Sequence, residues 1–114
     1  MPFTDSGLDD MVNGLAAAAT YISLHTGDPS TTGANEVTGG SYTREQTTWG
    51  SASSGDRVGS QVTFDVPAGT TITHWGLFTA ASAGTFKYGG TITSETFGVA
   101  GQYLFTPTID VDSA

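Results

Sequence analysis

Beyond residue 20 the apolar side chains of this chain recur at every second position, the period of a half-buried strand. Ile22 and Leu24 share a face with Thr26, while Tyr21, Ser23 and His25 share the other. Val62, Phe64 and Val66 alternate with Gln61, Thr63 and Asp65 before Pro67-Ala68-Gly69 turns the chain. From Thr71 to Thr79 bulk falls on both faces, with Trp75 and Leu77 against Ile72, His74 and Phe78. That pattern predicts a central strand covered on both sides. Ser41 to Trp49 reads as a mostly polar strand and Thr85 to Thr93 as another. The last runs from Gln102 to Val111, with Tyr103, Phe105, Ile109 and Val111 on one face and Pro107 marking an edge or a bulge. Alternation and flanking bulk place Phe64, Leu77 and Leu104 in the core.

One segment breaks the rule. Leu8, Met11, Val12, Leu15 and Ala19 form a single stripe at helical spacing. Ser6 is the expected cap, Asp9 and Asp10 suit the positive end of the dipole, and Gly14 weakens the helix by about 1 kcal/mol relative to Ala. So narrow a stripe needs a surface to lie on, either its own domain or a neighbouring subunit. Composition agrees with the strands: Thr, Gly and Ser supply 47 of the 114 residues, the mix of pleated surfaces and tight turns. The expected fold is mainly β, a small antiparallel β-sandwich or jelly roll. It fills 1–114 as one domain, with an arm over 1–6, a helix over about 7–19 and strands over about 20–111. Two polar loops remain, Gly27 to Gly40 and Gly50 to Gly59.

Charge narrows the partners. Eleven acids against three bases (Arg44, Arg57 and Lys87) give a net charge of −8. Phosphate backbones and anionic membranes are bound through Lys and Arg, so neither nucleic acid nor a membrane surface is an expected partner. Cysteine is absent, which excludes a disulfide scaffold, a thiolate metal site and a cysteine nucleophile. The longest apolar run, Leu15 to Ala19, falls far short of a membrane span, and the first residues lack a signal-peptide pattern. A soluble product made in the cytoplasm is expected.

Catalytic motifs are missing: no nucleophile elbow, zinc helix, phosphate loop, dinucleotide fingerprint or calcium loop occurs. His25 and His74 both fall on predicted strands and could meet across a sheet, with Asp28 or Glu36 as a carboxylate. That would resemble a two-His, one-carboxylate metal site, but no local spacing enforces it. Hydrogen-bonded structural histidines, with no metal and no cofactor, are expected instead. Asp28 is placed to bond the backbone beyond Pro29, and Glu36 and Arg44 flank the Gly39-Gly40 bend and could pair across it. Tyr42, Trp49 and Tyr88 could stack on sugar rings, though cross-strand packing is the commoner use of such residues.

The run Leu24-His25-Thr26-Gly27-Asp28-Pro29, continued by Thr32-Gly33-Ala34-Asn35-Glu36-Val37-Thr38-Gly39-Gly40-Ser41-Tyr42-Thr43-Arg44, resembles a family of small tailed-bacteriophage virion structural proteins, often labelled tail fibre proteins. Val62-Thr63-Phe64 and Ile72-Thr73-His74-Trp75-Gly76-Leu77-Phe78 extend the likeness, with Trp75 where Phe is usual. The resemblance covers most of residues 21–79. It implies a virion component and no enzyme, and it carries no catalytic residues across. A surface decoration protein of the phage head is the first expectation, self-associated as a homotrimer in the manner of that class and bound to the major capsid protein or another virion protein. A tail, baseplate or fibre component that binds host-surface carbohydrate is the alternative. The loop Gly27 to Gly40 and the arm 1–6 have little of their own domain in view to pack against. Asp28, Asn35, Glu36 and Arg44 are therefore expected at or behind a subunit interface, with the helix nearby.

Overall fold

The central strand β5 (Thr70–Phe78) organises the protein because both of its faces are covered. The structure is a computed structural model that describes residues 5–50 and 56–110, with side chains over 12–50 and 56–109. Against β5 lie β1 (Tyr21–His25) and β6 (Phe86–Phe97), both antiparallel, and β2 (Glu45–Gln46) pairs with the far side of β1. The second layer is the antiparallel pair of β4 (Val62–Val66) and β7 (Gly101–Phe105), in the register Phe64↔Tyr103. A third pair, β3 (Asp56–Val58) with β8 (Thr108–Asp110), closes one end beside the helix α1 (Asp5–Ala18).

The layers meet in one core. Ile22 and Leu24 of β1, Trp75 and Leu77 of β5, and Val62, Phe64 and Val66 of β4 form a single buried cluster, which Val12, Ala19 and Ile109 extend. Phe105 of β7 brings its ring to 5.4 Å from Trp75, tying the smaller sheet to the larger. The chain is thus mainly β and antiparallel with one N-terminal helix, as its periodicity predicts. Val12, Ala16 and Ala19 are buried, so the C-terminal half of the helix stripe rests on the chain's own core. No helix among the described residues is long and apolar enough to cross a membrane.

The bounds of several elements need correction. The helix starts at Asp5, which puts Ser6 inside its first turn instead of at the cap; residues 1–4 of the expected arm lie outside the described residues. Ser41 to Trp49 is strand only at Glu45–Gln46, because Tyr42 and Arg44 are diverted into contacts described below. Part of the second polar loop, Asp56–Val58, is a strand, held by pairing with β8 that no local pattern announces; residues 51–55 of that loop lie outside the described residues. The last strand is two, since Pro107 lacks an N–H for the ladder and the chain changes partner there, from β4 to β3.

Core membership follows the alternation in two cases of three. Phe64 and Leu77 are wholly buried, but Leu104 is 54% exposed. It lies opposite Thr63, on the face of the small sheet that turns away from the core. Phe64→Ala is expected to cost about 3–5 kcal/mol, whereas Leu104→Ala costs under about 1 kcal/mol. Urea midpoints of the two variants check this; equal losses would contradict the two-layer packing.

Candidate functional site

The segment from Thr26 to Arg44 carries the densest run of unusual residues, and it folds back over the outer face of the four-stranded sheet. The backbone makes the first contacts. Thr26 N–H donates to Asn35 O at 2.9 Å, and Val37 N–H donates to Leu24 O at 2.9 Å, closing the loop at its neck. The amides of Gly33 and Ala34 both donate to Pro29 O. Asp28 Oδ1 accepts from Ser30 N–H at 2.8 Å, which stabilises Ser30 at φ 55°. Asn35 adopts φ 63°, and its side-chain Nδ2 donates to Asp28 O at 3.0 Å. Asn is among the few side chains that tolerate this left-handed geometry.

Beneath the loop is His25, which is fully buried. Its Nδ1 lies 2.7 Å from Ala34 O, and a carbonyl only accepts, so Nδ1 carries the proton. Nε2 then accepts from the Ser23 hydroxyl, also at 2.7 Å. His25 and His74 are register partners on β1 and β5, so the two histidines do face each other across the sheet. Both ring nitrogens of His25 are nevertheless engaged, which removes it as a metal ligand. His74 Nδ1 lies 2.8 Å from Thr73 Oγ1. Among the described residues no group of three His, Cys, Asp or Glu side chains is placed to hold a metal ion. The Ser23–His25 pair has the spacing of a nucleophile and its base, but Ser23 is fully buried and beyond any substrate's reach.

Burial holds the His25 imidazole below its ordinary pKa of 6.5, against the raising effects of the Ala34 carbonyl and the Glu36 charge; the Arg44 and His74 charges add to the lowering. The unfolded chain therefore takes up a proton that the folded chain refuses. Folding stability is full above about pH 6.5 and falls as pH drops through 6.5 towards the lower folded-state value. A ring resonance of His25 titrating below 6.5, with a lower urea midpoint at pH 5.5 than at 7.5, is the expected result; titration above 6.5 would contradict the assigned burial.

Glu36 and Arg44 do pair across the Gly39-Gly40 bend. Arg44 Nη2 and Nε donate to Glu36 Oε1 and Oε2, each at 2.9 Å, in a two-pronged ion pair. The other prong of the guanidinium, Nη1, donates to Ala80 O at 3.0 Å and Ala83 O at 2.7 Å, and the group lies 3.5 Å above the Phe78 ring. Tyr42 Oη accepts from Leu24 N–H and donates to Glu36 Oε2, so the phenol bridges β1 to the ion pair. Burial alone would raise the Glu36 carboxyl, but hydrogen bonds from Arg44 and Tyr42 and the Arg44 charge outweigh it and hold the group below its ordinary value. Burial, with the adjacent Glu36 charge, pushes the Tyr42 phenol far up, so it stays a neutral donor.

Of the four residues singled out from the sequence, Glu36 and Arg44 are joined directly, and Asp28 and Asn35 are joined to each other on the exposed rim. The premise that this loop lacks contacts in its own domain is thus overturned: Pro29 is buried against the sheet, and Gly33 fits where a Cβ would stand 2.5 Å from the Phe78 ring. Sequence reasoning missed Tyr42 and Ser23 as hydrogen-bond partners and the reach of Arg44 to the 79–85 turn. Tyr42 had a signal, two residues before Arg44 in the same motif; the turn had none. The aromatic residues weighed as sugar platforms are engaged at home. Tyr42 stacks on Phe64, Trp49 donates its indole N–H to Ala19 O, and Tyr88 packs on Trp75.

This arrangement locks the loop across the outer face of the sheet. No curated protein sequence matches the chain. The family model described as podophage GP4 fiber I protein gp80 matches residues 7–113, nearly the whole length. The chain belongs to that family, and is a bacteriophage virion structural protein of the tail-fibre type.

Proposed function

We propose that this chain is a non-enzymatic module of a phage tail fibre or its attachment site, acting through the surface that the locked loop presents. The observation that carries the reading is the match to a fibre family over residues 7–113. The loop geometry supports it, since the motif side chains satisfy one another instead of opening a cleft with free catalytic groups. Asp28 and Asn35 lie exposed on the rim, while the Glu36–Arg44 pair stiffens the loop from behind. The partner on this reading is another virion protein of the tail, met by a pre-ordered loop that loses little entropy on contact.

A head decoration protein would also suit the Thr-, Gly- and Ser-rich surface and the net charge of −8. The fibre family weighs towards the tail. Counting copies in purified particles, together with immunogold labelling, separates the two. Tens of copies confined to the tail are expected; hundreds spread over the capsid would overturn the tail reading in favour of head decoration.

A further inference from the structure

We propose that the hollow where the locked loop meets β5 and β6 is a binding site for one neutral sugar ring. Asp28, Pro29 and Ser30 of the loop wall one side of it, and His74 of β5 and Thr91 of β6 wall the other. At about 270 Å³ it lies just below the roughly 300–1,000 Å³ of sites for drug-sized ligands, so it takes a single small ring.

The floor, Gly89 and Gly90, is bare by necessity. A Cβ at Gly89 would stand 2.9 Å from both Phe86 Cζ and Pro29 Cγ, and one at Gly90 would stand 2.6 Å from Trp75 Nε1. An irregularity in the sheet shapes the β5 wall. Between the pairs Ile72↔Glu95 and His74↔Thr91, β5 advances two residues while β6 advances four. Ile72 and Trp75, three positions apart, both enter the core, so Thr73 and His74 are left out of it together. Bulges of this kind are over-represented beside functional sites, where they re-aim a side chain. Thr73 Oγ1, 2.8 Å from His74 Nδ1, then holds the ring. The loop wall is held as firmly: Asp28 Oδ1 accepts from Ser30 N–H, and Asp28 O accepts from Asn35 Nδ2.

The polar atoms that this scaffold leaves over define the ligand. Among the described residues, Asp28 Oδ2, His74 Nε2 and the Ser30 and Thr91 hydroxyls make no hydrogen bond, and all four residues are exposed or half-buried. A carboxylate oxygen accepts, an imidazole nitrogen gives or takes, and hydroxyls do both. Neighbouring hydroxyls on a sugar ring, each a donor and an acceptor, answer that set. The Asp28 charge and the net charge of −8 disfavour an anion, and no metal-holding group of three side chains occurs among the described residues. Pro29, packed against Gly89, gives the C–H groups of the ring an apolar edge without an aromatic platform. Walls already in place cost little ordering on binding. The site is a property of the free protein and does not rest on the tail assignment, which copy number decides.

Amide NMR spectra of the full chain test this, titrated to about 50 mM with methyl glycosides of glucose, galactose, mannose and N-acetylglucosamine. At least one is expected to shift the Ser30, His74, Gly90 and Thr91 amides saturably, with a Kd of about 1–10 mM. Asp28→Asn keeps an oxygen for the Ser30 amide, and His74→Phe keeps the bulk of the ring. Each is expected to weaken binding about tenfold or more while the remaining amides stay in place. Thr63→Ala, exposed on the outer face of β4, should bind as wild type does. No shift at these amides with any glycoside, shifts confined to another face, or either site variant binding like wild type would overturn the proposal. Shifts there from Nα-acetyl-lysine amide and from no glycoside would also overturn it, and would assign the hollow to a partner's lysine.

Discussion

Arg44→Ala is expected to destabilise the isolated protein by about 3 kcal/mol or more, because it leaves the Glu36 carboxylate half-buried without its cation. The side chains of Arg44 and Glu36 are only 10% and 20% exposed, so water replaces little of what is lost. Two carbonyls, Ala80 O and Ala83 O, lose their donor in the same step, and Phe78 loses the guanidinium over its ring. Arg44→Lys does not rescue the variant, since a point charge cannot reach both carboxylate oxygens and both carbonyls at once. Acid should imitate the mutation in part. The Glu36 carboxyl ionises below its ordinary value in the folded chain, so the stability it contributes is present above about pH 4.5 and is lost as pH falls through the lower folded value. Urea midpoints of wild type, R44A and R44K at pH 7 check the first claim. An R44K midpoint equal to wild type would show that the network is a surface ion pair of little weight.

Gly76→Ala is expected to cost about 3 kcal/mol, the upper range for overpacking a core, although it adds a single methyl group. The new Cβ would stand 2.6 Å from Ser23 Oγ, 2.7 Å from His25 Nε2 and 2.8 Å from Phe86 Cε1. Ser23 and His25 are wholly buried and joined to each other, so neither can swing aside without breaking the bond beneath the loop. Gly14→Ala supplies the contrast. Nothing lies within 4 Å of a Cβ at Gly14, in the middle of α1, and the substitution should stabilise by about 0.5–1 kcal/mol. Thermal or urea unfolding of the two variants therefore gives opposite signs. A Gly76→Ala protein as stable as wild type would mean that the outer face of β5 is not sealed.

The strands that were legible in advance are those whose two faces meet different surroundings. Val62 to Val66 alternates buried and exposed without exception, and β5 carries bulk on both sides because it is sandwiched between the core and the loop. What the residues hid was set by distant partners. Leu104 follows the same alternation but belongs to the outward face, and nothing local tells which face of an edge pair turns inward. The strand Asp56–Val58 exists through its pairing with β8, some fifty residues away. At the candidate site, the turn made by Asp28 and the pairing of Glu36 with Arg44 follow from side-chain chemistry over short separations. The dependence of Arg44 on the 79–85 turn, and of the whole loop on a bare Gly76, needs the folded sheet to bring those groups together.

The contacts within the chain order the Gly27–Gly40 loop as a finished surface before any partner arrives. Amide hydrogen exchange of the isolated protein tests this most directly. The N–H groups of Thr26, Gly33, Ala34 and Val37 all donate within the chain. They are predicted to be protected in free protein to nearly the same degree as in assembled particles, with Thr26 and Val37 approaching the neighbouring strand β1. Exchange at the rate of an open chain in the free protein, with protection gained only on assembly, would contradict the account.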